Sequence, residues 1–211
     1  MRSYEQHCAL ARALDVVGDR WTLLIVRELL IRERCRYTDL RYGLPGIATN
    51  LLADRLRELE ANGIVTREEA PPPIAATLFR LTPRGEALKP VLFALGAWGA
   101  PLLADERGEP VFRSHWLALP LELQLRDHEP DQPAVTIAIE TGEQPLVLET
   151  ADGRVHVEPG RTDHADATLA GTPSLVLGVL AHGLDLATAR RQGLHFSGDP
   201  AALRRVAVPA T

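Results

Sequence analysis

The sequence predicts two domains of different class: a mainly α domain with one two-stranded β wing, followed by an α+β domain. Three observations carry this expectation. Apolar residues recur at helical spacing through most of the first half, as in Trp21, Leu24, Ile25 and Leu29. Apolar and polar residues alternate with the period of a strand from Ala134 onward. Between them lies ADERGEP at 104–110, a polar stretch with Gly and Pro that reads as a linker. The expected boundaries are therefore 1–103, a linker at 104–110, and 111–211.

With 211 residues and 45% hydrophobic content the chain can bury a real core, divided between two small domains. Its two cysteines, Cys8 and Cys35, make neither a disulfide scaffold nor a tetrahedral zinc site, and its seven histidines lack HxH or HExxH spacing. No metal or cofactor is expected. The opening stretch MRSYEQHCALARAL has no signal-peptide apolar region, and no window reaches the roughly 18 apolar residues of a membrane span. The expectation is a soluble cytoplasmic protein with reduced thiols and no membrane partner.

The net charge of −5 argues against a nucleic-acid partner until it is divided along the chain. Residues 1–104 hold 14 Arg and Lys against 12 Asp and Glu, a balance of +2, and residues 105–211 hold 9 against 16, a balance of −7. Screening over about 8 Å makes the local balance of a face matter more than the total. Only the first half can face phosphate.

In that half, residues 5–16 and 21–31 read as helices, 38–42 as a short helix, Leu44-Pro45-Gly46 as a turn, and 47–61 as a longer helix closed at Asn62-Gly63. Strands follow at 64–69 and 77–81, joined by a loop with Pro71, Pro72 and Pro73. Thr82 then caps a helix that runs toward Trp98, with Pro83 at its first position. A short helix, a tight turn, a longer helix and an adjacent hairpin make a winged helix-turn-helix, whose second helix enters the major groove and reads base edges. Ile47, Leu52, Leu56 and Leu59 would anchor that helix, and Thr49, Asn50, Ala53, Asp54 and Arg57 would face outward. Periodicity alone is satisfied as well by a helical hairpin in an all-α core with a wet polar face.

The runs CALARALDVVGDRWTLLIVREL, RYTDLRYGLPGIATNLLADRLRELEANGIVTRE and LTPRGEALKPVLFALGAWG resemble the HxlR-type winged-helix transcriptional regulators over residues 8–99. The motifs are Cys8, Gly18-x-x-Trp21, Arg36-Tyr37-x-x-Leu40, Pro45-Gly46-Ile47, Leu56-Arg57-Glu58-Leu59, Gly63 and Leu81-Thr82-x-x-Gly85. The resemblance implies a homodimeric DNA-binding regulator whose terminal helices form the dimer interface. The chain departs from the family at Ala48, where a capping Ser is usual and Thr49 is a possible substitute. It departs again at the wing tip, Ile74-Ala75-Ala76, where a basic residue is usual, leaving Arg67 and Arg80 as wing contacts.

Arg34, Arg36 and Arg41 are the candidate phosphate contacts, expected to cluster beside the recognition helix, and each is equally readable as a solvated arginine. Arg57 is more readily read as half of a structural ion pair, given its place in Leu56-Arg57-Glu58-Leu59. Thr49 and Asn50 are the better base-reading candidates. At Cys8 the resemblance puts a cysteine that senses oxidants or electrophiles in several members, and His7 and Arg12 would favour its thiolate. The alternative is a small buried hydrophobe under the dimer interface. Cys35, in RERCRY, is a weaker second candidate placed in a turn.

In the second half VFRSHWLALPLELQL reads as a short helical piece, and AVTIAIET, PLVLE, RVHVEP and DATLAGT read as strands. TPSLVLGVLAHG and DLATARRQ read as helices, LHFSG as a last strand, and DPAALRRVA as a closing helix capped by Asp199. This order, with the phrases HADATLAGTPSLVLGVLAHG and LHFSGDPAAL, resembles the sterol carrier protein-like fold over about residues 111–207, which implies an apolar tunnel for lipids or acyl chains. Trp116, Leu117, Leu121, Val176, Leu180 and Phe196 are the candidate pocket residues, with ordinary core packing the default reading of each, because an apolar stripe is normally just buried. No nucleophile–base pair or phosphate loop stands out, so no enzyme is expected. The expected function is that of a homodimeric regulator that binds a double-stranded DNA operator and senses a small apolar ligand. The alternatives are an apolar-ligand carrier or enzyme whose helical domain no longer binds DNA, and a second domain used purely for dimerisation.

Overall fold

A computed structural model describes residues 3–71, 75–105 and 111–208, the side chains of 104 and 105 excepted. The chain divides into two units, Met1–Glu106 and Arg107–Thr211. Of the linker expected at 104–110, residues 104 and 105 end a 3-10 turn (Ala100–Asp105), and 106–110 lie outside the described residues.

The first unit runs α1 (Ala9–Val17), α2 (Thr22–Arg32), β1 (Cys35–Arg36), α3 (Tyr37–Gly43), α4 (Thr49–Ala61), β2 (Val65–Ala70), β3 (Ala76–Leu81), α5 (Pro83–Glu86) and α6 (Lys89–Gly99). The expected elements are present with shifted ends: α1 starts at Ala9 rather than at residue 5, and Ile47 precedes α4. Two features differ from the sequence reading. Cys35 lies on a strand, β1, rather than in a turn. The helix expected from Thr82 toward Trp98 is two helices, because Pro90, in the first turn of α6, has no N–H to continue the hydrogen-bond ladder from α5.

The sheet order is β1-β3-β2, antiparallel throughout. Cys35 pairs with Phe79, and Val65 with Leu81, on the face that joins the core. Leu78, flanked by Arg36 and Glu68, and Arg80 beside Thr66 lie on the other face. Ile25, Val26 and Leu29 from α2, Leu40 from α3, and Leu52, Leu56 and Leu59 from α4 meet in one buried cluster. Each such side chain contributes about 1.5–3 kcal/mol by leaving water.

A buried carboxylate fixes α2 against α3. Glu28 has 0% exposure, and its Oε1 accepts from Arg27 Nε at 3.0 Å and Nη2 at 2.7 Å. Arg27 Nη2 also donates to the Gly43 carbonyl at 3.0 Å. Burial pulls the Arg27 pKa below its ordinary value, against the pull of Glu28. A Cβ on Gly43 would lie 1.9 Å from Glu28 Oε2, so only glycine lets the end of α3 approach this carboxylate.

The helix ends follow from local chemistry. Gly63, at φ +66°, closes α4: its N–H donates to the Glu60 carbonyl at 3.0 Å, and the Ile64 N–H to that of Leu59 at 2.9 Å. Thr82 caps α5 by accepting from the Gly85 N–H at 3.2 Å, and its hydroxyl donates to the Gly63 carbonyl at 2.6 Å. One threonine thus joins the start of α5 to the junction between α4 and β2.

The second unit begins with a 3-10 turn (Ser114–Leu117), α7 (Ala118–Gln124), β4 (Thr136–Glu140), β5 (Leu146–Ala151), β6 (Arg154–Pro159) and β7 (Ala167–Ala170). It ends with α8 (Pro173–Ala181), α9 (Leu186–Arg191), β8 (His195–Gly198) and α10 (Pro200–Val206). The strand order is β6-β5-β4-β7-β8, with β4 and β7 parallel and the other pairs antiparallel. Ile137, Ile139, Leu146, Leu148, Val157 and Leu169 share one buried face. Helix α10 packs against β4 and β7, and α7 against β6, where Glu122 accepts the Val157 N–H at 3.2 Å. Asp199 caps α10 by accepting from the Ala201 N–H at 2.8 Å.

Arg205 of α10 is buried and donates from Nε and Nη2 to both oxygens of Asp127, at 2.6 and 2.8 Å. It also donates to the Gln132 carbonyl at 3.2 Å. These hydrogen bonds hold the Asp127 carboxyl below the usual carboxylate range.

Gly43→Ala is expected to destabilise the first domain by about 1–3 kcal/mol, the usual cost of forcing a methyl group into filled space. Urea unfolding followed by circular dichroism measures it. An unchanged midpoint would mean that the Glu28 side chain has room to move aside.

Candidate nucleic-acid interface and apolar cleft

Helix α4 turns Leu52, Leu56 and Leu59 into the core and leaves Thr49, Asn50, Asp54 and Arg57 exposed, with Ala53 half-buried. The Tyr37 hydroxyl donates to the Thr49 carbonyl at 2.6 Å and so ties the start of α3 to the start of α4. Ala48 occupies the N-cap without a side-chain cap. Thr49 is the first helical residue and does not replace that cap, because its side chain is one position too far along. Arg57 pairs with Asp54 on the exposed face, so two candidate base readers engage each other. Arg55, not singled out from the sequence, pairs with Asp19 and Glu58 and latches α4 to the turn before α2.

The candidate arginines sit on different elements. Arg34 lies before β1, with Nη1 3.3 Å from Glu68 Oε1 on the wing. Arg36 stands at the N-cap of α3, where its own N–H donates to Asp39 at 2.8 Å. Arg41 is exposed on α3. Among the described residues no ion pair engages the Arg36 or Arg41 guanidinium. Arg67 and Arg80, the remaining wing candidates, point to opposite faces of the sheet, since Arg67 is paired in register with Phe79 and Arg80 with Thr66. Arg67 Nε lies 3.1 Å from Glu60, and Arg80 Nε 3.6 Å from Glu68. At the wing tip Pro72, Pro73 and Ile74 lie outside the described residues.

Cys8 is exposed at the N-cap of α1. Cys35 is fully buried; burial pushes its thiol up to about 12, and its Sγ lies 3.8 Å from the Glu28 carbonyl. Such a thiol is inert at neutral pH.

In the second unit Leu117, Leu121, Val176 and Leu180 are buried core residues. Trp116 is half-buried, edge-on to His115 and Phe112, and half-buried Phe196 lies under the Arg190 guanidinium at 5.2 Å. An open cleft of about 470 Å³ is lined instead by Val179, Leu184, Leu186, Pro200, Leu203 and Val208, with Arg204 at its side. None of the six candidate pocket residues lines it. Helix ends meet there, and residues from three separate segments form the wall. Among the described residues no group of three His, Cys, Asp or Glu side chains is placed to hold a metal ion, and no helix is long and apolar enough to cross a membrane.

The HxlR-like helix-turn-helix family matches residues 16–107. An uncharacterised HTH-type transcriptional regulator of Synechocystis is 35% identical over 102 residues, covering 48% of this chain and 75% of the relative. The chain belongs to the HxlR-like helix-turn-helix family of transcriptional regulators. YodB, an HTH-type transcriptional regulator of Bacillus subtilis, is 35% identical over 98 residues, covering 46% of this chain and 82% of YodB. The solved structure of reduced YodB aligns at 33% identity and a TM-score of 0.40, covering 44% of this chain and 92% of that one.

The HxlR-like motifs have separate physical tasks here. Gly46, at φ +87°, makes the turn between α3 and α4, and a Cβ there would lie 3.9 Å from Trp21 Cη2. The Gly18-x-x-Trp21 motif therefore backs the Pro45-Gly46-Ile47 turn. In Leu81-Thr82-x-x-Gly85 the threonine supplies the cap already described, and a Cβ on Gly85 would lie 2.3 Å from the Ile64 carbonyl. Sequence reasoning missed Glu28, Arg55 and Glu68, because a charged residue in a helix or strand reads as a solvated one until its neighbours are known.

For this HxlR-like regulator, Asn50→Ala is expected to relax base preference at one position, by about 1–3 kcal/mol for a bidentate contact. Arg41→Ala is expected to weaken all sequences alike and to flatten the salt dependence. Selection of bound genomic fragments, followed by titrations at several salt concentrations, separates the two effects. An Asn50→Ala variant with unaltered preference would remove Asn50 from base reading.

Proposed function

We propose that the chain binds a pseudo-palindromic operator as a homodimer, with α4 of each copy in the major groove, and that its second domain senses a small apolar ligand. The observation that carries the dimer is α6. None of its residues is buried, although its sequence is KPVLFALGAWG. Val91 and Leu95 are exposed by 48 and 50%, Trp98 by 73% and, just beyond the helix, Leu102 by 60%, at spacings that put them on one stripe. Leu10 and Leu14 of α1 are exposed too. Apolar side chains aligned in this way on a folded domain mark an association surface, and two copies joined through them would set the distance between their recognition helices.

The ligand reading is supported by the cleft, whose volume of about 470 Å³ lies within the ~300–1,000 Å³ usual for small-molecule sites. The mixed sheet with helices over its apolar face, in the order expected from the sequence, supports the comparison with sterol carrier proteins. A ligand regulates only by preferring one dimer geometry to another. Of the two thiols, exposed Cys8 rather than buried Cys35 is the one accessible to oxidants, and we assign redox regulation to it. Peroxide treatment should then change operator affinity in the parent chain and leave Cys8→Ser unaffected, and equal responses would remove Cys8 from the mechanism.

Light scattering is expected to give a dimer for the parent chain, and Trp98→Glu is expected to give monomers whose operator affinity falls by an order of magnitude or more. A monomeric parent chain would end the dimer reading. Native mass spectrometry and thermal shift with acyl chains, sterols and aromatic metabolites test the second domain. A ligand that raises the melting temperature and changes operator affinity several-fold supports sensing. A panel without effect on either leaves the domain a structural role in dimerisation.

A further inference from the structure

The outer face of the three-stranded sheet has a charge arrangement that DNA contact alone does not explain. Arg36 and Glu68 flank Leu78 in one cross-strand row, and Arg80 stands beside Thr66 in the next. Arg34 reaches this face from just before β1. Glu68 divides its two oxygens between two arginines: Oε1 lies 3.3 Å from Arg34 Nη1, and Oε2 lies 3.6 Å from Arg80 Nε. The other wing acid near it is differently used, since Glu69 is on the opposite face and accepts from the Thr77 hydroxyl at 2.7 Å. Arg67 is also on that opposite face, with Glu60. Three arginines thus share the outer face with one carboxylate, and the carboxylate holds two of them.

We infer that Glu68 stands in for a phosphate on this face and thereby sets how strongly the wing binds the DNA backbone. The inference rests on the DNA-binding reading given above. A carboxylate and a phosphodiester compete for the same guanidinium N–H groups, and both accept through anionic oxygens. The side chains of Arg34, Arg80 and Glu68 are exposed by 61, 50 and 35%, so the pairs are solvated and a phosphate can displace them. Until it does, the single carboxylate offsets one of the three positive charges and occupies the N–H groups of two arginines, so the face attracts DNA less strongly from a distance. After it does, the displaced carboxylate remains beside the phosphate and repels it. Both effects restrain sequence-independent binding.

The test uses the full chain carrying Glu68→Gln, with Glu68→Ala as a second variant that also removes the charge. Binding to a mixed-sequence duplex and to a genome-selected operator fragment is measured by fluorescence anisotropy over a salt series. Both variants are expected to bind the mixed-sequence duplex several-fold more tightly at low salt. The plot of log affinity against log salt should steepen by about 0.9 for each phosphate newly held. Adding Arg34→Gln and Arg80→Gln to Glu68→Gln should return the slope to the parental value or below. Unchanged affinity and slope in folded variants would overturn the inference. So would weaker binding, which would make Glu68 a residue that aims its arginines at DNA. A parent chain that binds neither duplex overturns the DNA-binding reading and this inference together, whereas a parent that binds with unaltered variants removes the inference alone.

Discussion

The Glu28 carboxylate, buried completely between α2 and the end of α3, is the constraint on which the geometry of the first domain depends. A buried charge must be matched by charge and hydrogen bonds, and removing one partner of such a pair typically costs about 3–5 kcal/mol. Arg27 supplies the match and at the same time holds the Gly43 carbonyl. Since the approach leaves no space for a side chain on Gly43, the angle between α2 and α3 has little freedom. From α3 the constraint passes to α4 through the Tyr37 hydroxyl on the Thr49 carbonyl, and Arg55 returns it to the turn before α2. The exposed face of α4 is therefore presented by a framework that a polar network, as well as apolar packing, holds in one arrangement.

Charge pairing runs through the candidate interface. Asp54 neutralises Arg57, Glu60 lies against Arg67, and Glu68 serves Arg34 and Arg80. Arg36 and Arg41 are the candidate phosphate contacts without such a partner among the described residues. Phosphate contacts carry no sequence information, so in the proposed reading discrimination would fall to exposed α4 residues such as Thr49 and Asn50.

The second domain solves a different problem. Its sheet has one apolar face, and helices at both ends of the sequence segment cover it, with the Arg205–Asp127 pair securing α10 to the loop before β4. Where α8, the following turn and α10 meet, the covering is incomplete, and an apolar cleft remains. A cleft of this origin is made by the ends of elements rather than by their buried faces. The strongly apolar positions Leu117, Leu121, Val176 and Leu180 went to the core, as the sheet requires.

The sequence by itself determined most of the element order and the helix-turn-helix with its wing in the first half. These depend on local chemistry: the period of apolar residues in 49–61, the turn at Pro45-Gly46, the glycine that closes α4 and the threonine that caps α5. Only the tertiary structure decided which charges are buried, which arginines share a carboxylate, that Cys35 is inert on a two-residue strand, and which residues wall the cleft. Each of these is set by neighbours distant in sequence, as Glu28 is by Gly43 and Glu68 by Arg34. Local pattern records whether a side chain is polar and how often it recurs. It does not record what stands opposite, because the strength of a charge, the reactivity of a thiol and the shape of a cavity arise from contacts that exist only once the chain has closed on itself.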